Sequence, residues 1–174
     1  IIKKSGKNLI IFDVGANKGD YCNNLINSKI CIKKIYAFEP QKEVYARLKS
    51  NTSGYPITSE NIALSDTVGE SLLFDRNDNE GSCHASLSEK IFTDVHNVSS
   101  YSSKTTISTI DEYCKIKNIP YVDFLKIDVE GYELNVLKGG SRMLSERRIK
   151  IIQFEFTQLN TVLKVSFRDF YDLL

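Results

Sequence analysis

Four acidic side chains stand at or near the carboxyl ends of apolar segments that are typical of buried strands. They are Asp13, Glu39, Asp128 and Glu155. Because the carboxyl ends of parallel strands meet at one edge of a sheet, we expect these carboxylates to lie near each other. Such a cluster repels phosphate groups, but it attracts a cation and accepts hydrogen bonds from hydroxyl groups. The residues therefore predict a site for a cationic, hydroxyl-bearing small molecule.

The most informative local pattern is the turn after the first apolar segment. Gly15 and Gly19 allow a tight turn from a strand into a helix, and Glu39 follows the next strand, where nucleotide-binding sheets place an acid that holds ribose hydroxyls. Asp13 is expected in this turn, where a dinucleotide enzyme needs neutral backbone beside a pyrophosphate. A carboxylate there suits an ammonium and a sulfonium, which S-adenosylmethionine carries. The alternative, a nicotinamide-dependent dehydrogenase, is disfavoured because Asn17 stands where the middle glycine of the dinucleotide fingerprint is expected.

Strands and helices alternate along the chain, which predicts an α/β fold with a mostly parallel, doubly wound sheet. The predicted strands are 9–14, 35–39, 57–64, 122–129 and 149–156, with 71–75 as an antiparallel strand and 105–108 extended. The predicted helices are 20–27, 40–51, 109–117, 132–145 and one from 166 onward, with Thr109 and Glu112 as a capping box. The polar stretch 77–104 contains both histidines and lacks periodicity, so we expect a lid or binding loop there.

Several short motifs, in the same order, resemble those of the FkbM-type methyltransferase family. They are DVGANKG (13–19), FEP (38–40), NIALSD (61–66), TID (109–111), KIDVEGYE (126–133) and LKGG (137–140). The block Asp-Val-Glu-Gly within the fifth motif is the most specific part of the resemblance. The resemblance implies a Rossmann-like class I methyltransferase fold. It also implies an S-adenosylmethionine-dependent O-methyltransferase that acts on a small molecule, often a glycan or a polyketide.

The resemblance further implies which residues bind the cofactor. Its methionine end would be lined by Asp13, Gly15, Asn17 and Gly19. Glu39 would accept hydrogen bonds from both ribose hydroxyls, and the neighbouring residues Ile62 and Ala63 would flank the adenine. Asp128 would face the methyl group or the methionine ammonium.

Methyl transfer to a hydroxyl also requires a base that removes the hydroxyl proton. His84 is the first candidate, because histidine titrates near neutral pH and this one lies in the predicted lid; His96 is a weaker candidate. Asp128 and Glu130 are the alternatives, although Glu130 fits a cap of the following helix equally well. A minor hypothesis has Asp128 and Glu155 bind a divalent cation, but two carboxylates without a third ligand do not predict a metal site.

Composition limits the classes of protein and partner. The 174 residues predict a single S-adenosylmethionine-binding domain over 1–174, and the net charge of +1 argues against nucleic acid or an anionic membrane as partner. Four cysteines without metal-binding spacing indicate a reduced, cytoplasmic setting. No leader and no apolar run of membrane-spanning length are recognisable in the sequence.

Related folds continue with two more strands after the fifth strand and its helix, so we expect a chain truncated at its carboxyl terminus. The strand 149–156 would then expose an edge, which predicts a homodimer through that edge, or instability. A domain that binds the cofactor without activity is the remaining alternative. The sequence leaves the acceptor open between sugar, lipid, polyketide and peptide, and we expect the segment 77–104 to select it.

Overall fold

A large parallel sheet and a smaller mixed sheet organise the chain. The computed structural model describes residues 8–28, 30–76 and 85–174, apart from the side chain of His96. The strands are β1 (Leu9–Val14), β2 (Ile32–Phe38), β3 (Ile57–Glu60), β4 (Ala63–Leu64), β5 (Gly69–Arg76), β6 (Ser100–Ser108), β7 (Phe124–Ile127) and β8 (Ile152–Phe154). The helices are α1 (Asp20–Asn27), α2 (Lys42–Asn51), α3 (Ile110–Ile116), α4 (Glu133–Lys138), α5 (Ser141–Ser145), α6 (Gln158–Val162) and α7 (Phe167–Leu173). A π-helix, Ile91–His96, lies between β5 and β6.

The large sheet has the strand order β3-β2-β1-β7-β8, and each strand is parallel to its neighbours. This confirms the predicted α/β fold with a doubly wound sheet. The order reverses at β1, which lies between β2 and β7. The carboxyl ends of these three strands therefore surround a switch point of the kind at which open α/β sheets bind ligands.

Helices cover both faces of the large sheet, because neighbouring residues of a strand point to opposite faces. Phe12 of β1 packs in one hydrophobic cluster with Phe38 and Tyr113, and the centroids of these rings are 4.8 to 5.8 Å apart. Ile11, the preceding residue, packs in a second cluster that includes Leu48 of α2. The β1 strand is buried along its whole length as a result, as its apolar sequence predicts.

The predicted strand 57–64 is wrong as a single element, since it forms two strands in different sheets. β3 belongs to the large sheet, whereas β4 belongs to the small sheet, which has the order β4-β6-β5. The break falls at Asn61, whose Nδ2 donates hydrogen bonds to the carbonyl oxygens of Glu39 and Pro40 at 2.9 and 3.0 Å. The predicted antiparallel strand near 71–75 is confirmed as β5, which pairs with β6.

The predicted helix 132–145 is interrupted and forms α4 and α5. A Cβ atom at Gly139 would lie 1.9 Å from the carbonyl oxygen of Ser65, so only glycine fits at this position without a clash. The carboxylate of Asp111 accepts hydrogen bonds from the backbone N–H groups of Arg142 and Met143 at 2.9 and 3.0 Å. A side chain from α3 thus satisfies the first turn of α5 and fixes the interruption.

The predicted lid, 77–104, lies partly outside the described residues. From residue 85 onward it carries regular structure that the sequence did not indicate. Ser86 pairs with Phe74 of β5, and the π-helix and β6 follow. Ile91 and Phe92 of the π-helix are fully buried and pack with Leu159 of α6, a helix that was not predicted. These contacts join distant parts of the chain, so local periodicity does not reveal them.

β8 forms one edge of the large sheet and is shorter than the predicted strand 149–156. A single domain, a truncated carboxyl terminus and a homodimer through this edge stay predictions. In the part of the chain that the structure describes, every helix is too short or too polar to cross a bilayer.

The contact between Gly139 and Ser65 can be tested by a pair of neighbouring substitutions. Gly139 has helical backbone angles, so Gly139→Ala introduces only the clash, and we expect the free energy of unfolding to fall by roughly 3 kcal/mol. Gly140→Ala is the control, because its Cβ would meet no atom closer than 3.2 Å; we expect a change below about 1 kcal/mol. Urea unfolding followed by circular dichroism measures both. Equal stabilities for the two variants would contradict this account.

Candidate active site

A cavity of about 600 Å³ opens at the carboxyl ends of β1, β2, β7 and β8, the size typical of small-molecule sites. Most residues that the sequence singled out line it. These are Gly15, Asn17, Glu39, Ile62, Ala63, Asp128, Glu130 and Glu155. Leu73 of β5 also lines it, so the small sheet forms one wall. The topology therefore brings together residues that are up to 140 positions apart in the sequence.

The turn after β1 and the loop after β7 touch each other at the floor of this site. Gly15 has a φ of +78°, and a Cβ atom there would lie 1.8 Å from the carbonyl oxygen of Asp128. The N–H groups of Gly15 and Ala16 both donate to the carbonyl oxygen of Phe38, at 3.1 and 2.9 Å. The turn is thus held against β2 on one side and against the β7 loop on the other, and only glycine fits between them.

Glu39 is an almost fully buried carboxylate at the end of β2, with 4% of its surface exposed. Its Oε2 accepts a hydrogen bond from the backbone N–H of Asn17 at 3.0 Å, and its Oε1 accepts one from that of Gln41 at 2.9 Å. Burial raises the pKa of Glu39 to about 7, although both backbone hydrogen bonds oppose the shift. Each carboxylate oxygen can accept a second hydrogen bond, so two hydroxyl groups can still bind to this side chain.

Asp13 lies in β1 rather than in the turn, and its fully buried carboxylate faces Lys126, its cross-strand neighbour in β7. Lys126 Nζ lies 3.2 Å from Asp13 Oδ1 and 3.3 Å from Asp128 Oδ2, and it donates to the carbonyl oxygen of Gly15 at 3.1 Å. Cys22 Sγ donates to Asp13 Oδ2 at 3.1 Å. Burial alone would lower the pKa of Lys126, but the two carboxylates outweigh it and raise the pKa.

The structure thus places two predicted cofactor contacts, Asp13 and Gly19, outside the cavity lining. A Cβ atom at Gly19 would meet Leu48 and Thr52 of the α2 region at 2.9 and 3.0 Å, so this glycine serves the packing of α1 on α2. Lys126 does line the cavity, and sequence analysis did not assign it a role. The available signal was a charged residue inside an otherwise apolar strand, which burial allows only with a partner.

Three carboxylates line the part of the cavity at the ends of β7 and β8: Asp128, Glu130 and Glu155. Glu130 has a φ of +54° and lies two residues before Tyr132, the N-cap of α4. His84 lies outside the described residues, and Ala85 and Leu87 line the cavity. Among the described residues no group of three or more His, Cys, Asp or Glu is arranged to hold a metal ion. Asp128 forms a salt bridge with the ammonium group of Lys126.

Comparison with known proteins agrees with this architecture. Residues 13–174 match the family model of the methyltransferase FkbM domain. The chain is 28% identical over 159 residues to the hexuronic acid methyltransferase AglP of Haloferax volcanii, which corresponds to 88% of this chain and 59% of that protein. The chain therefore spans about three fifths of this curated relative. The crystal structure of a methyltransferase FkbM from Methylobacillus flagellatus KT superposes with a TM-score of 0.57 at 18% identity, covering 91% of this chain and 37% of that one. At that identity the likeness concerns the fold, which is Rossmann-like.

The role of Lys126 as the partner of Asp13 leads to a stability prediction. Lys126→Met leaves a buried carboxylate without its cation, so we expect the free energy of unfolding at neutral pH to fall by about 3–5 kcal/mol. The double variant Asp13→Asn/Lys126→Met removes both charges, and we expect it to recover most of this loss. Denaturant unfolding by circular dichroism suits the chain, which has no Trp. If the double variant were as unstable as Lys126→Met, the loss would not come from an unpaired Asp13.

Proposed function

The chain belongs to the FkbM methyltransferase family, and from this we propose that it transfers the methyl group of S-adenosylmethionine to a hydroxyl group of a sugar or another small molecule. The observation that carries the proposal is the position of Glu39. Its carboxylate lies at the end of the strand beside the switch point, held by two backbone N–H groups, with room to accept from two hydroxyls. A ribose presents two adjacent hydroxyls, which such a carboxylate fits.

The other lining residues also suit this cofactor. Ile62 and Ala63 offer an apolar surface next to Glu39 for the adenine ring. Asn17, on the turn after β1, is proposed to lie beside the methionine end, where Lys126 and Asp128 supply one charge of each sign for its carboxylate and ammonium. We retain Gly15 as the residue that lets this turn come close, whereas Asp13 and Gly19 support the site indirectly.

S-adenosylmethionine supplies a methyl group on a sulfonium, which is already a good leaving group. The protein then has to orient the acceptor hydroxyl in line with that methyl group and to remove its proton. We propose Asp128 or Glu130 as the base, since both line the cavity. His84 stays a candidate from the sequence. Because Asp128 is paired with Lys126, replacing Asp128 would also disturb that pair.

The proposed acceptor class is a hydroxyl-rich compound such as a sugar. The carboxylates of Asp128, Glu130 and Glu155 line the same part of the cavity and suit a ligand with several hydroxyl groups. The relative from Haloferax volcanii, by its name, methylates a hexuronic acid, which supports a sugar as the acceptor of this chain too. O-methylation, rather than transfer to nitrogen or carbon, follows from that acceptor class.

Calorimetric titration with S-adenosylhomocysteine, with NAD as the control ligand, tests the cofactor. We expect micromolar binding of the first and none of the second, because Asn17 stands where the middle glycine of the dinucleotide fingerprint is expected. Incubation with S-adenosylmethionine and a panel of hexose and hexuronic acid glycosides, followed by mass spectrometry, then tests the acceptor. Binding of NAD alone would refute the proposal. A folded chain that binds S-adenosylhomocysteine but methylates no sugar would refute the proposed acceptor class.

The pKa of Glu39 predicts how cofactor binding depends on pH. Ribose hydroxyls donate to the ionised carboxylate, and a pKa of about 7 leaves roughly one tenth of the protein competent at pH 6. We therefore expect the Kd for S-adenosylhomocysteine to be about tenfold higher at pH 6 than at pH 8.

The stability of the free protein depends on pH in the opposite direction. Because folding raises this pKa from 4.5, the folded state holds the proton more tightly, and that stabilisation is lost as the pH rises through 7.

Two variants separate Glu39 from other groups that titrate near neutral pH. Glu39→Gln cannot ionise, so we expect weaker binding that no longer changes between pH 6 and pH 8. His84→Asn should leave the pH dependence as it is in the unmodified chain. A pH dependence that survives in Glu39→Gln, or disappears in His84→Asn, would assign the titration to another group.

A further inference from the structure

The loop between β7 and α4 has an unfavourable backbone conformation at the cavity wall. Glu130 and Gly131 are consecutive residues with φ values of +54° and +97°. A non-glycine residue adopts this left-handed region only where surrounding contacts impose it. Since Glu130 lines the cavity, whatever imposes this conformation also fixes one of its proposed acceptor-binding carboxylates.

Glu133, the first residue of α4, provides the nearest of these contacts. Its Oε1 accepts hydrogen bonds from the backbone N–H groups of Val129 and Gly131, both at 3.1 Å. These two N–H groups flank Glu130 on either side. A carboxylate oxygen that accepts from both groups holds the loop in its turned conformation. In an extended chain, N–H groups two residues apart are too far from each other to reach one oxygen.

Asn160 of α6 binds the other oxygen of the same carboxylate. Its Nδ2 donates to Glu133 Oε2 at 2.8 Å, and its Oδ1 accepts from the backbone N–H of Thr157 at 2.8 Å. Both side chains are almost fully buried, with 2% of Glu133 and 1% of Asn160 exposed. Among the described residues no Lys or Arg forms a salt bridge with Glu133, so the hydrogen-bond donors alone compensate the burial of its charge.

These hydrogen bonds connect two parts of the cavity wall. Thr157 follows β8 closely, and Glu155, two residues earlier, lines the cavity. The loop has a further contact, since Ser86 Oγ donates to the carbonyl oxygen of Glu130 at 3.0 Å. The segments after β7 and after β8 are thus joined behind the wall by side chains that do not line it.

We propose that Glu133 and Asn160 are a positioning pair, which holds the left-handed loop and thereby sets Glu130 relative to Glu155 for acceptor binding and proton removal. The consequence for catalysis rests on the proposed function; the consequence for the loop does not. The pair requires that one donor and one acceptor face each other, whichever of the two residues carries which group. This requirement is what an exchange of the two chemical groups can test.

The experiment compares Glu133→Gln, Asn160→Asp and the double variant that combines them. In Glu133→Gln an introduced NH₂ group opposes the Asn160 amide, and in Asn160→Asp two buried carboxylates face each other. In the double variant the amide at position 133 donates to the carboxylate at position 160, and of the bonds that Asn160 makes only the long one from Nδ2 to the carbonyl oxygen of Gly131, at 3.5 Å, is lost. The amide oxygen can still accept from Val129 and Gly131, and the carboxylate can still accept from Thr157. Glu146→Gln is the control, because Glu146 is exposed and pairs with Arg148.

Hydrogen exchange of the free chain and steady-state methyl transfer give two independent readouts. For each single variant we expect the Val129 and Gly131 amides to exchange about tenfold faster or more, and kcat to fall by a similar factor. The Kd for S-adenosylhomocysteine should stay within about threefold, since Glu39 lies at the end of another strand and Asp128 keeps its pair with Lys126 in these variants. We expect the double variant to return to within about threefold of the unmodified chain in both readouts, and the control not to change.

Two results would overturn the positioning pair: single variants with unchanged amide exchange, or a double variant that exchanges as fast as the single ones. A double variant whose amides exchange as slowly as in the unmodified chain, but whose kcat stays low, would also overturn it. The pair would then hold the loop without acting on Glu130. If a single variant does not fold, the double variant decides alone, and its own failure to fold counts against the pair. A chain without any methyl transfer refutes the proposed function, while the exchange data still decide the pairing.

Discussion

The buried pair between Asp13 and Lys126 constrains the centre of the molecule. Both residues lie in the middle strands of the large sheet, where an unpaired charge is costly, so the two strands must run in the register that puts them side by side. With its ammonium held there, Lys126 also reaches the carbonyl oxygen of Gly15 and the carboxylate of Asp128. One side chain thereby connects the strands to both loops that form the floor of the cavity.

Carboxylates that accept backbone N–H groups recur around this floor. Glu39 holds the turn after β1, and Glu133 holds the loop after β7. In each case the N–H groups belong to a segment without regular hydrogen bonding, which needs partners once it is buried. These carboxylates therefore fix irregular loops to the regular elements, and they do so where the cavity requires a defined shape.

The fold was predictable from the sequence to a large extent. The apolar runs of β1, β2 and β7, the helix 20–27 and the family motifs were enough for the doubly wound parallel sheet, and the resemblance to the FkbM family is confirmed. The errors fell where a distant contact overrides local pattern. Asn61 divides a predicted strand, Gly139 divides a predicted helix, and the π-helix and α6 pack together across more than 60 residues.

For the site, the sequence by itself determined which residues gather at the carboxyl edge, because strand ends and glycine turns are local features. Only the tertiary structure decided which of them face the cavity. Asp13 is turned away from it toward Lys126, and Glu133 reaches back to the loop before it. Neither fact follows from spacing, since burial and pairing depend on the neighbouring strand and on helices that come later in the chain. The sequence determines the set of charged groups, and the packing determines which of them remain available to a ligand.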